Sequence, residues 1–145
     1  MKYIVMLSAA LLVAGCIHRG QTEATAGAKS QDQDAESRRA AALTGRTAGT
    51  PQDCIGEFDL GSQETYGRHA ILFTSRNDDV VYVNRPPAGC PGLSYGQGIK
   101  VRTPMSRLCR GDVVTVFDPV SKMDIGGCGL GPFTPYRRTV TAKNR

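Results

Sequence analysis

Apolar residues in the C-terminal two-thirds of the chain come in short runs cut by Gly, Pro, Asn and Asp, a spacing that predicts strands and turns rather than helices. His69 to Ser75 (HAILFTS) and Val80 to Arg85 (VVYVNR) flank Arg76-Asn77-Asp78-Asp79 and read as a hairpin closed by turn-favouring residues. From Gly98 to Thr103, Ile99, Val101 and Thr103 alternate with Lys100 and Arg102, which predicts a strand with one buried face and one wet face. Val113 to Phe117 is a fourth strand, stopped by Asp118-Pro119. Weaker strands are expected at Ile55 to Leu60 and around Met123 to Gly126. Five or six short strands in this stretch predict an all-β domain, built as a small antiparallel barrel or a curled sheet. No segment carries a sustained helical period.

The first residues have a different pattern. Lys2 precedes an apolar run from Tyr3 to Val13 broken only by Ser8, and Ala14-Gly15 follow, the layout of a secretory signal over residues 1–15. That run is too short for the roughly 20 apolar residues that span a bilayer. Val13-Ala14-Gly15-Cys16 resembles the bacterial lipobox, which implies cleavage before Cys16, a diacylglycerol on its thiol and an acyl chain of the palmitate kind on its new amine. Several chains, at about 0.8 kcal/mol per buried methylene, make a firm anchor. Ile17 stands where an inner-membrane retention signal places Asp, so the expected location is the outer membrane, facing the periplasm.

Composition divides the rest. Residues 17–50 contain only Ile17 and Leu43 from the large apolar set, with no aromatic and no proline. Such a segment predicts a disordered linker over 16–50, spanning about 32 Å as a flexible coil. At most a transient two-turn helix is expected within Asp34 to Leu43. All eight prolines and eight of the nine aromatics lie between residues 51 and 136, so the domain is expected there. The chain has a formal charge of +5, but residues 51–136 hold eight basic and nine acidic side chains. The surplus includes Arg137, Arg138, Lys143 and Arg145 in a tail, 137–145, expected to be flexible. A nucleic-acid partner is therefore not expected, because the folded part has no basic stripe.

With Cys16 assigned to lipid, Cys54, Cys90, Cys109 and Cys128 remain, an even number in a small domain of an oxidising compartment, and they predict two disulfides. Their intervals of 35, 18 and 18 residues lack the close pairs of a zinc site, and no metal or other cofactor is expected. Of three possible pairings, Cys54–Cys90 with Cys109–Cys128 is mildly favoured, since the latter two flank the expected hairpin of Val113–Phe117 with Met123–Gly126. Acid–base candidates are sparse. Glu57 and Asp59 would share a strand face, Asp78 and Asp79 occupy a turn, and His69 stands alone at a strand start. The glycines of Gly126-Gly127-Cys128-Gly129-Leu130-Gly131 read as turns and close backbone packing, and Arg110-Gly111-Asp112 as a chance tripeptide.

Taken in order, Cys90-Pro91-Gly92-Leu93, then Leu108-Cys109-Arg110-Gly111-Asp112, then Cys128-Gly129-Leu130-Gly131-Pro132-Phe133 resemble a proteobacterial lipoprotein family known as domain of unknown function 6491, over about residues 53–136. The resemblance implies a cysteine-bearing, β-rich periplasmic domain and supplies no catalytic residues. The expected role is a non-enzymatic envelope module with a membrane contact through Cys16 and a partner drawn from envelope protein, peptidoglycan or lipopolysaccharide. Two alternatives stand beside it: a lysozyme-inhibitor-like lipoprotein, and an envelope hydrolase using Glu57 and Asp59 or His69.

Overall fold

The structure, a computed structural model, describes residues 19–102 and 105–139, with the side chains of 19–28 left aside. Cys16 and the signal segment 1–15 lie outside the described residues, as do residues 140–145. The described chain forms one helix, α1 (Arg19–Ala42), and ten strands. Strands β1 (Arg46–Ala48), β3 (Leu60–Tyr66), β4 (Ala70–Ser75), β5 (Val80–Asn84) and β10 (Phe133–Arg138) make an antiparallel sheet in the order β1-β10-β5-β4-β3. A two-stranded ladder joins β2 (Cys54–Gly56) to β7 (Arg107–Cys109), and a third sheet runs β6 (Gly98–Val101), β8 (Val113–Phe117), β9 (Asp124–Gly129).

Alternation along the strands decides where the core sits. Ile71 and Phe73 of β4 point into the space between the sheets, where they meet Ile99, Leu108, Val114, Val116, Leu130 and Phe133, all buried. The rings of Phe73 and Phe133 meet edge to face, 5.8 Å between centroids. Ala70 and Leu72, one residue out of phase, face the opposite side with Tyr66, Val81 and Val83. That second apolar face is why α1 exists. Ala35 and Arg39 of the helix are buried, Leu43 just beyond it packs on this second cluster, and the three share one helical face at a spacing of four. Gly67, between β3 and β4, has the left-handed φ of 59°, and a Cβ there would stand 2.9 Å from that of Ala35, so the absent side chain lets the helix come close.

These observations correct four expectations. Residues 19–42 are helical instead of a disordered linker, because docking onto the sheet supplies what the segment's own weak apolar stripe cannot. The sheet extends beyond the expected boundary at Pro51, since β1 pairs with β10. Arg137 and Arg138 belong to β10 instead of a flexible tail, and Arg138, together with Arg46, grips Asp78 at the β4–β5 turn. Asp78 takes a φ of 55°, and Arg46 Nη2 lies 2.7 Å from its carboxylate and 3.0 Å from its carbonyl oxygen. Among the described residues the strands number ten, and they stay in three open sheets without closing into a barrel.

The cysteines are bridged, in a pairing other than the one favoured from spacing. Cys54 bonds Cys109, which it faces directly in the β2–β7 ladder, and Cys90 bonds Cys128 of β9. The second bridge ties the loop leaving β5 to the three-stranded sheet. It is seated by glycine: a Cβ on Gly126 would lie 1.9 Å from the carbonyl oxygen of Pro91, and one on Gly131 would lie 2.3 Å from that of Arg85. The glycine-dense run therefore serves close backbone packing, within a strand for its first four residues and not as a turn.

Candidate functional site

The sheets stay unjoined along the seam between the edge strands β3 and β6, and the backbone register shows how. Phe133 and Gln52 exchange both main-chain hydrogen bonds, at 2.8 and 2.9 Å, so Phe133 turns its peptide groups away from β5. Carrying the alternation across the paired residues of β10, β5 and β4 directs the peptide groups of Ser62, Glu64 and Tyr66 toward β4, and those of Gln63 and Thr65 outward. On the other side, the Leu130 N–H donates to Asp112 O and the Asp118 N–H to Met123 O. The same alternation through β8 leaves the peptide groups of Ile99 and Val101 facing away from β8, toward β3.

Side chains bridge this seam where a ladder does not. The hydroxyl of Thr65 donates toward Ser94 O at 2.7 Å and Gln97 O at 3.1 Å, and the Gln63 amide donates to Ile99 O at 2.8 Å. Residues 65 and 63 thus match 97 and 99 in steps of two. The next step would match 61 with 101, and there the series stops. Residue 61 is glycine, and the β3–β4 register slips by one residue between Leu60 and Ser62, a bulge that bends the strand. A Cβ on Gly61 would lie 3.0 Å from the Cα of Arg76, so the bulge also needs the glycine. Among the described residues no hydrogen bond reaches the outward N–H and C=O of Val101.

Beyond Gln63 the seam widens into a cleft of about 380 Å³. Its floor is apolar, formed by Leu60, Phe73, Ile99, Val101 and Leu108. Among the described residues Glu57 is the one ionisable side chain on its lining, and Ser62 adds a hydroxyl to the rim. The Glu57 N–H donates to Ser106 O at 3.0 Å, which holds the 3-10 turn Glu57–Asp59 against the start of β7. Phe58 on that turn is 71% exposed. The size is within the range of small-ligand sites, and the lining joins an apolar floor to a polar rim.

The candidate residues read from the sequence are not brought together. Glu57 and Asp59 lie on the 3-10 turn instead of one strand face. His69 ends a second 3-10 turn, Gly67–His69, at the far end of β3, where its ring lies beside Gly89. Asp78 is held by Arg46 and Arg138, and Asp79 accepts from the Asn77 amide at 2.5 Å. Asp112 of the Arg110-Gly111-Asp112 tripeptide accepts the Cys109 N–H at 2.7 Å and serves the turn into β8. Among the described residues no cluster of three or more His, Cys, Asp and Glu side chains is arranged to hold a metal. Gln63, Thr65 and Val101, which shape the cleft, escaped sequence reading because Gln63 and Thr65 put polar groups on the core side of an edge strand. The signal for them was the match in spacing between Gly61, Gln63, Thr65 and an apolar alternation at Ile99 and Val101.

A second hollow, of about 430 Å³, lies between α1 and the Leu93–Tyr95 loop. Arg38 sits over the Tyr95 ring at 4.7 Å, and Tyr95 meets Tyr66 edge to face at 5.8 Å. Burial and the hydrogen bond that the Tyr66 hydroxyl gives Glu64 push its ionisation well above the ordinary tyrosine range. These contacts fasten the helix. No family model, no curated protein and no solved structure matches the chain.

Proposed function

We propose that the protein is a lipid-anchored, non-enzymatic binding module of the outer membrane, facing the periplasm, which holds its ligand in the β3–β6 cleft. The observation that carries the binding role is the cleft itself: an apolar floor with a polar rim, placed where the side-chain bridging between β3 and β6 stops. The anchoring part rests on Val13-Ala14-Gly15-Cys16 and is supported by two disulfides, which persist in an oxidising compartment. No helix among the described residues is long and apolar enough to cross a membrane. The resemblance to the lipoprotein family agrees with this reading. The residues of the hydrolase alternative are separated, His69 from Glu57 and Asp59 by the length of β3.

The anchoring is tested by feeding a Gram-negative host an alkyne analogue of palmitate. The wild-type chain is expected to take the label and sediment with outer membrane, and Cys16→Ser to lose the label and become soluble. Label unaffected by Cys16→Ser, or four cysteines freely alkylated in intact cells, overturns the reading.

A further inference from the structure

We propose that the occupant of the β3–β6 cleft is an extended peptide segment that adds its own main chain to the seam, with apolar side chains on the cleft floor and a cationic group against Glu57. This rests on the reading of the cleft as the binding site and names its ligand class. Three observations converge on it. The outward N–H and C=O of Val101 form an unused ladder position, next in series after the two carbonyls, of Gln97 and Ile99, that Thr65 and Gln63 occupy. A single ligand that satisfies both carries a donor and an acceptor at peptide spacing, and an extended backbone supplies them every second residue. Gly61, which has no side chain to fill that position, and the bulge at Leu60–Ser62 end the side-chain bridging of the seam where the cleft begins. Charge selects the kind of peptide: among the described residues Glu57 is the sole ionisable group on the lining, so a lysine, an arginine or a free amino terminus complements it.

An acyl chain would use the floor and ignore Val101, while a second copy of this protein would make the cleft a dimer contact. The experiment separates these occupants. The sequence has no tryptophan, so the purified full chain carrying Phe58→Trp gives a single tryptophan, excited selectively at about 295 nm, on the exposed turn that also carries Glu57. A library of random nonapeptides displayed on phage is panned on the wild-type full chain, and the enriched sequences are synthesised. The expected result is peptides with alternating apolar residues and one basic residue that shift the reporter's emission. Methylating a central peptide nitrogen is expected to weaken them about tenfold or more, and Val101→Pro, which removes the outward N–H from an edge strand, to do the same. Glu57→Lys is expected to reverse the charge preference of the enriched set. Should Val101→Pro not fold, the methylated peptides ask the same question from the ligand's side.

Binding indifferent to both methylation and Val101→Pro overturns the proposal. So does a reporter that answers to palmitate and to none of the peptides, which leaves the cleft a binding site of another kind. A reporter shift that follows protein concentration alone, with sedimentation as a dimer, assigns the cleft to a second copy. No response to peptide, palmitate or self-association removes the binding reading together with the proposal.

Discussion

The side-chain amide of Gln63 donates to the main-chain carbonyl of Ile99 at 2.8 Å, so one side chain stands in for a rung of backbone ladder between two sheets. Removing it tests how firmly the seam is held. Gln63→Ala is expected to cost about 0.5–1.5 kcal/mol, the usual net value of such a bond, read as a lower urea midpoint at unchanged slope. Gln63→Glu is expected to cost more at pH 7 than at pH 4, since an ionised carboxylate has no proton to give the carbonyl of Ile99. Equal stability of Gln63→Ala and wild type would show that the seam does not depend on this bond.

The disulfide pairing has a direct signature in a tryptic digest made without reduction. Peptide 47–68 should appear joined to 108–110, and peptide 77–100 to 123–137. The loops closed span 55 and 38 residues, and by chain entropy each bridge contributes about 4 kcal/mol. Recovery of 47–68 joined to 77–100 would contradict the structure.

Three glycines of one short run are expected to respond differently to the same change. Gly126→Ala and Gly131→Ala drive a methyl into the carbonyls of Pro91 and Arg85, and each should lose about 1–3 kcal/mol or more. At Gly129 a Cβ meets nothing within 4 Å, so Gly129→Ala should stay within about 0.5 kcal/mol of wild type. Thermal melts of the three variants side by side give the comparison.

Acid should loosen the β8–β9 turn at a defined point. The Asp118 carboxylate accepts the Ser121 N–H at 2.6 Å, the Ser121 hydroxyl at 3.0 Å and the Val120 N–H at 3.0 Å, and these bonds, led by that of the Ser121 N–H, hold its ionisation below the ordinary aspartate value. A carboxyl lowered by folding stabilises the fold above its unfolded pKa, and that contribution disappears as pH falls through the lower folded value. The amide resonances of Val120 and Ser121 should therefore titrate together, with a midpoint below the ordinary aspartate value. A midpoint above that value would mean that the cap does not form.

Local pattern made part of this fold legible. The hairpin of β4 and β5 and the strand Val113–Phe117 followed from apolar runs bounded by turn residues, because each is decided within its own dozen residues. What escaped was decided at a distance. β10 contains Pro135, which argues against an inner strand, yet its nitrogen turns toward the β1 side, where Gly49 N–H donates to Pro135 O at 2.7 Å and no proline N–H is called for. The helix lacked an apolar stripe beyond Ala35 and Leu43, and only the second face of the sheet explains it. Cys54 and Cys109 became partners through a ladder of three residue pairs that no short window reveals. The cleft belongs to the same class, since it arises from a register slip at Gly61 read against a strand nearly forty residues away.

The contact between Ala35 and Gly67 sets the molecule's bearing. It fixes the helix to the Tyr66 end of β3, whereas the seam opens at the Leu60 end, about 20 Å along the strand at 3.4 Å per residue. Sixteen residues of helix precede Ala35, roughly 24 Å of stiff rod. The helix therefore grips the domain by its heel, at the Tyr66 end of β3, and the opening at Gly61 sits at the toe, beyond the reach of that contact.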